Sequence, residues 1–329
     1  PQLTQIAVTP TADFAEDARA FQRRLFIVRR HLERAVVEQK ACLPGDFHIA
    51  CLSASSIVYK GMIAGGRLAD FYPDLEAPDF AVHYAIFHER YSTNTRSVWR
   101  LAQPFRCLAH NGEINTLAAN REAMRVREPL LASPLFGERM RHVLPVLDES
   151  GSDSAMLDNA LELLLHAGES PAHAAMTLLP EPFGSSFIMG EDKRAFYEYH
   201  AALMEPWDGP AALVFTDGMS HIGAVLDRNA LRPARWCRTT DGLFLLASEA
   251  GVFDIPAGRT AERGRLHPRR MLMVDFERGR IIPDAECKSR EIYARPYRHW
   301  VREQGVTLAD LPLPAGRRDV PEAPASAPA

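Results

Sequence analysis

Cysteine is scarce in this sequence, and what there is lies scattered: Cys42, Cys51, Cys107, Cys237 and Cys287 among 329 residues. No two of them form a CxxC pair, which excludes a cluster-binding cysteine run and a disulfide scaffold. An odd, dispersed set fits a reducing compartment, so a cytoplasmic location is expected. Cys107 and His110 are spaced like half a metal site but have no second pair, so Cys107 is expected to be a small buried residue beside a turn. Long apolar runs are also missing: none approaches the ~20 residues of a membrane helix. The first ten residues lack the basic and apolar blocks of a signal peptide. Neither sign of charge dominates, with 38 Lys and Arg against 42 Asp and Glu and a net charge of -4. General attraction to nucleic acid or to anionic membrane is therefore not expected. What is present is ordinary for a globular chain, 47% apolar and 24% charged residues. A domain of this size buries roughly 75% of its unfolded surface, so no staple is needed.

The order of patterns gives the class. Phe14, Ala18, Phe21, Leu25, Val28, Leu32 and Val36 recur at helical spacing, which predicts a helix over Ala12 to Lys40 capped by Asp13, with an arginine-rich solvated face. A turn at Leu43 to Asp46 leads into two short strands, Phe47 to Leu52 and Ile57 to Tyr59. Lys60 is taken as a structural or positioning residue, because nothing beside it in sequence argues for desolvation. Phe80 to His88 reads as a buried strand, and residues 91 to 106 as a long loop. Cys107 to Ala109 is a short strand, His110 to Glu113 a turn, and Ile114 to Val126 a helix. Ser152 or Asp153 caps a helix running to His166, and Pro171 to Leu179 forms another. Ala201 to Asp208 is helix and loop. From there the period changes to that of strands, at Ala211 to Thr216, Ser220 to Leu226, Gly242 to Ala247, Arg270 to Asp275 and Gly279 to Ile282, with Asp217-Gly218 as a hairpin signal. Cys287 to Glu303 is helical, and Pro312 to Ala329 is a Pro/Ala-rich linker or tail. Periodicity alone gives an α+β class.

The chemistry concentrates in His88 to Asn120, which reads HERYSTNTRSVWRLAQPFRCLAHNGEINTLAAN. Arg90 offers a bidentate carboxylate receptor, followed by four small polar residues, Ser92 to Thr95. Asn111-Gly112 can present a side-chain amide and a backbone N–H to one oxygen, which is what an oxyanion hole needs. A second polar concentration, Asp148 to Ser154, contains Asp153. Taken singly, each has a plain structural role: a surface cation, a tight turn, a helix cap.

Together, RYSTNT followed by LAQPFRCLAHNGEINTLAANR resembles the glutamine amidotransferase domain of the glutamate synthase large subunit, a class II, N-terminal-nucleophile amidotransferase. The strings VYKGM, FYPDL, GSDSAMLDN, WDGPAALVFTDG, LDRNALRPARW, SEAGVFDIP and GRLHPRRMLMVD extend the resemblance over most of the chain. It implies a four-layer αββα sandwich, incomplete at the N-terminus. Residues 1–311 would be the C-terminal portion of the amidotransferase domain, and 312–329 a linker. It implies that Arg90 pairs with the α-carboxylate of L-glutamine, that Asp153 receives its α-ammonium, that Thr93 and Asn94 belong to the gripping loop, and that Asn111 and Gly112 form the oxyanion hole. The family's nucleophile is an N-terminal cysteine, whereas this sequence opens on Pro1. A cut or processed chain, unable by itself to hydrolyse glutamine, is therefore expected.

In the complete enzyme the released ammonia would be channelled to 2-oxoglutarate to make glutamate, a step in nitrogen assimilation. No cofactor is expected on this chain, with FMN and an iron–sulfur cluster on later domains. Those domains and a small electron-donating subunit are the implied partners. Two other readings are a non-catalytic glutamine-binding or interaction protein and a class II amidotransferase of the phosphoribosyl pyrophosphate type, whose pattern RNALRP also resembles. DRNALRP departs from the family at Ala230, where glycine is usual, and Ala119 stands at another frequent glycine.

Overall fold

The computed structural model describes residues 3–14, 16–42, 46–92, 95–184, 186–307 and 310–312. The expected tail, Thr93, Asn94 and most of the turn at 43–46 lie outside them. In chain order the helices and strands are α1 (Ala18–Glu38), α2 (Leu68–Phe71), β1 (Leu108–Gly112), α3 (Leu117–Arg127), α4 (Asp153–His166), α5 (Pro171–Leu178), α6 (Glu191–Leu203), β2 (Ala211–Thr216), β3 (His221–Leu226), β4 (Arg235–Thr239), β5 (Phe244–Ala247), β6 (Thr260–Arg265), β7 (Met271–Asp275), β8 (Arg280–Pro283), α7 (Asp284–Ile292) and α8 (Tyr297–Gln304).

Side-chain oxygens start the main helices. Asp17, not Asp13, caps α1 by accepting from the Ala20 N–H at 2.8 Å. Ser152 caps α4 through the Ala155 N–H, and Ser170 caps α5 through His173, with Pro171 in the first turn. From Ser154 to Leu163 every residue of α4 but Ala155 is buried, so this helix is interior. It can carry Asp158 and Glu162 there because each carboxylate has partners. Asp158 accepts from the backbone N–H groups of Arg106, Cys107 and Leu108. Glu162 meets the buried guanidinium of Arg29 at 2.6 Å.

Two antiparallel sheets complete the fold, one ordered β1-β2-β3-β7-β8 and the other β5-β4-β6. One face of the larger sheet gives Leu108, Leu213, Phe215, Val225, Met271 and Met273 to a core shared with Leu157 and Leu161 of α4 and Met176 and Leu178 of α5. The opposite face packs Ala212, Val214, Ala224 and Leu272 against Leu246 and Leu266 around the smaller sheet. The stacking is thus helix, sheet, sheet, within the α+β class the sequence indicates. It is the part of an αββα sandwich visible among the described residues.

Three predicted strands are absent. Phe47 to Leu52, Ile57 to Tyr59 and Phe80 to His88 run without regular pairing, and Phe47, Ile57, Phe80, Val82 and Phe87 are exposed. An extended segment becomes a strand only when a neighbour satisfies its backbone, and these have none among the described residues. Side chains hold them instead: the Tyr84 hydroxyl meets Thr216 Oγ1 at 3.0 Å and its ring stacks on Phe276. In the other direction, α6 begins ten residues before the helix expected at Ala201, β4 and β6 were not foreseen, and the last helical stretch is broken at Arg295-Pro296 into α7 and α8.

Candidate active site

β1 carries the site. It was expected to turn at His110, yet its pairing continues through Asn111↔Ala212 and Gly112↔Ala211. The turn comes afterwards, where Glu113 N–H donates to the Pro210 carbonyl at 3.0 Å and Asn115 N–H to that of Asp208 at 2.8 Å. Gly112 has φ of +147°, and a Cβ on it would lie 1.7 Å from the Pro210 oxygen. Only glycine fits there, and Gly209 meets Glu113 in the same way from the facing segment, with 1.9 Å to its carbonyl oxygen. The conjunction of HNGE and WDGP in the sequence is this crossing. Thr116 and Asn120 close it further, through the Asp208 N–H and the Pro206 carbonyl.

Asp153 opens α4 directly behind this crossing. One carboxylate oxygen accepts from Ile114 N–H at 2.9 Å. The other accepts from Ser154 N–H at 2.7 Å and faces the Ser92 hydroxyl at 3.3 Å. One carboxylate therefore ties together the helix start, the turn after Gly112 and the loop after Arg90. Asn111, Gly112 and Asp153 are each partly open to solvent. Arg90 is exposed, and its backbone N–H donates to His88 Nδ1 at 3.0 Å. Among the described residues its guanidinium makes no ion pair and no hydrogen bond with Asp153 or Asn111. Thr93 and Asn94 lie outside the described residues.

The loop leading into β1 is built from buried polar contacts that the sequence reading missed. Leu108 and His110 turn their backbone groups away from β2, toward the open edge of the strand. Gln103 covers that edge: its Oε1 accepts from His110 N–H at 2.7 Å and its Nε2 donates to His110 C=O at 3.1 Å. Lys60 in turn holds the loop on both sides of Gln103, its ammonium donating to the carbonyls of Arg100, Ala102 and Pro104. Lys60 is 6% exposed and lies 4.9 Å from the centre of the Phe105 ring. Its positioning role agrees with expectation, but its desolvation does not. Burial and the nearby Arg106 bring its pKa down to about 7. The only trace in the sequence is a lysine just after a β-rich run, which is not enough to foresee three carbonyls converging on it.

Cys107 is buried immediately before β1 begins at Leu108. Burial, with Asp158 and Glu162 close by, pushes its thiol well above the ordinary range, so it stays protonated and is a poor nucleophile. Burial and Glu162 also push Asp158 up to about 7, against the pull of Arg106 and the backbone N–H groups it accepts. A cavity of about 270 Å3, walled by Arg23, Arg29, Arg106, Cys107, Glu162 and Asp217 among others, lies apart from the Asn111–Asp153 crossing. Two of its arginines are engaged, Arg29 by Glu33 and Glu162 and Arg106 by Glu33. No cluster of three or more metal-binding side chains occurs among the described residues. Nor is any described helix long and apolar enough to cross a membrane.

Comparison with known proteins gives the family. The profile described as "Glutamine amidotransferases class-II" matches residues 1–300. The "Glutamate synthase [NADPH] large chain" of Bacillus subtilis (strain 168) is 44% identical over 308 residues, covering 94% of this chain and 20% of that one. Its counterpart in Azospirillum brasilense is 41% identical over 92% of this chain and 20% of its own length. "Ferredoxin-dependent glutamate synthase 2" of Synechocystis sp. is 41% identical over 94% of this chain and 19% of its own. The chain thus spans about a fifth of the length of these relatives, and the matched span contains β1, the crossing and α4 alike: it belongs to the class-II glutamine amidotransferase family.

Proposed function

We propose that this chain is the glutamine-gripping part of the amidotransferase unit of a glutamate synthase. The observation that supports it most directly is the Asp153 carboxylate, which joins Ser92, Ile114 and the start of α4 beside Asn111-Gly112. In this reading Asp153 receives the α-ammonium of L-glutamine and Arg90 its α-carboxylate, an ion pair at each end of the amino acid. Thr93 and Asn94 belong, in the same reading, to the gripping loop. The Asn111 side-chain amide and the Gly112 N–H face the amide oxygen, where negative charge develops when the carbonyl carbon is attacked. Gripping both charged ends fixes the carbonyl against that pair, which is the positioning part of catalysis.

The attacking thiol is not among these groups. A thiol as enclosed as that of Cys107 holds its proton, so these residues bind and polarise but do not cleave. In the complete enzyme the ammonia would pass to 2-oxoglutarate. FMN and an iron–sulfur cluster would sit on the other domains, with a small electron-donating subunit as a further partner.

Calorimetric titration of the purified chain with L-glutamine tests the grip. Wild type should bind, and Asp153→Asn and Arg90→Ala should each weaken binding by roughly 10- to 100-fold, as expected for charge-assisted pairs. Glutaminase activity should stay at background. Turnover abolished by Cys107→Ala would refute the assignment of the thiol as inert, and equal affinity of all three proteins would refute the grip.

A further inference from the structure

The three residues Asn111, Gly112 and Glu113 span two points that are both fastened to the first turn of α4. At the far end, Ile114 N–H donates to Asp153 Oδ2 at 2.9 Å. At the near end, the ring of His110 reaches the same turn: its Nδ1 is 2.7 Å from Ser154 Oγ, and that hydroxyl is 3.2 Å from Asp153 Oδ1. His110 is 2% exposed and Ser154 1%. Behind the ring, the His110 backbone is gripped on both its N–H and its C=O by Gln103. His110 therefore has no freedom to follow a local motion of the turn. Phenylalanine would fill the same space with carbon, so packing alone does not call for an imidazole there. The polar atom on the Nδ1 side makes the short contact, while Nε2 is buried on the side of the Pro210 carbonyl without a well-formed hydrogen bond.

The geometry points to His110 and Ser154 as positioning residues that set the spacing between the Asn111–Gly112 pair and the Asp153 carboxylate. Resting on the glutamine-binding reading above, this makes the clamp the ruler between the two ends of the substrate. It holds the oxyanion pair at one fixed distance from the group that receives the ammonium. A shorter amino acid such as asparagine, gripped at Asp153, would then fail to bring its carbonyl to Asn111. Cutting the clamp leaves the binding groups in place and lets the span between them drift. A hydrogen bond of this kind contributes modestly to stability, whereas misplacement of a reacting group by about an ångström is felt strongly in binding and catalysis.

The test uses the whole chain and two readouts. For L-glutamine affinity, His110→Phe and Ser154→Ala should each weaken binding roughly tenfold, and the double variant should be no weaker than either, since both cut one link. His110→Asn, whose amide lies where Nδ1 lies, should stay within about threefold of wild type, while His110→Gln, whose amide lies toward Nε2, should resemble His110→Phe. Additive losses, or Asn and Phe variants of equal affinity, would overturn the clamp. The second readout is independent of ligand: in 1H–15N spectra the Gly112 and Ile114 amides should move in the same direction in His110→Phe and Ser154→Ala, with β4–β6 unchanged. If wild type binds no glutamine, the functional reading falls and these amide shifts alone decide. Unmoved Gly112 and Ile114 amides refute the clamp whatever the binding result. Ser154→Ala removes a single oxygen, so the comparison survives even if His110→Phe does not fold.

Discussion

Residues 46–91 and residues 211–283 carry the same kind of sequence, short β-branched and aromatic runs separated by polar breaks, and fold differently. In the second region every run meets a partner. β2 turns into β3 through Asp217-Gly218, where Gly218 has φ of +70°, β7 pairs with both β3 and β8, and β4 with β5 and β6. In the first region the runs IVY and FAVHYAIFH meet no pairing neighbour among the described residues, and Ile57, Phe80, Val82 and Phe87 stay at the surface. Propensity for strand is therefore a statement about fit to a sheet that must be supplied from elsewhere. A short hairpin, here the four residues 217–220, supplies it locally. A run that needs a distant partner is silent about whether that partner exists.

The contrast can be broken or sharpened by mutation. The largest effect should come from Phe215→Ala in β2, where a side chain 0% exposed is lost: about 3–5 kcal/mol in urea denaturation. The matching change in the other region, Val82→Ala at 58% exposure, should move stability by less than about 0.5 kcal/mol. Equal losses would mean that the 46–91 run is packed after all.

Next comes the hairpin itself. Asp217 accepts from the N–H groups of Met219, Ser220 and His221, and its other oxygen lies 3.0 Å from His221 Nδ1. The bond to Asp217 raises the pKa of His221, against burial and aided by Asp275. Burial of Asp217 is outweighed by the bonds from His221, so its own pKa falls. The raised histidine contributes fully below about 6.5 and is lost as pH climbs through its folded value. The lowered aspartate contributes above about 3.9 and is lost as pH falls through its folded value. Asp217→Asn should therefore cost most, about 2 kcal/mol, between roughly pH 4 and 6.5, and less on either side. A pH-independent difference in melting would refute the ion pair.

The remaining expected change is a gain. Ala230 sits at φ of +48°, a left-handed conformation that L residues resist, so Ala230→Gly should add about 1 kcal/mol. A loss on that substitution would show that the Asp227 turn, which accepts from Asn229 and Ala230, already absorbs the strain.

Much of this was legible in one dimension, and the reasons differ by element. α1 and the strands from Ala211 to Thr216 and from Met271 to Asp275 show in the sequence because burial on one side imposes a period, and α4 because a capping residue precedes a leucine-rich run. The left-handed need at Ala230 was readable as a departure from glycine. β6, reading TAERGR, was not legible: it is largely exposed and exists because β4 lies beside it. α6 was hidden for a related reason, since charged residues open it and its buried residues, Phe196, Tyr197 and His200, face α5 and α8 rather than forming an uninterrupted apolar stripe.

At the site, Asn111, Gly112 and Asp153 stood out as residue types, and the string around each named a chemistry. The sequence by itself determined those types, the glycine that the Gly112–Pro210 contact demands, and the helix start that carries Asp153. Only the tertiary structure decided that the carboxylate faces Ile114 and Ser92, that Gln103 seals the edge of β1, and that Lys60 is buried with three carbonyls in place of water. The physical reason is range. Period and turn chemistry are encoded within a few residues, while a buried polar group finds its partner 7 to 61 positions away, where no local pattern records it.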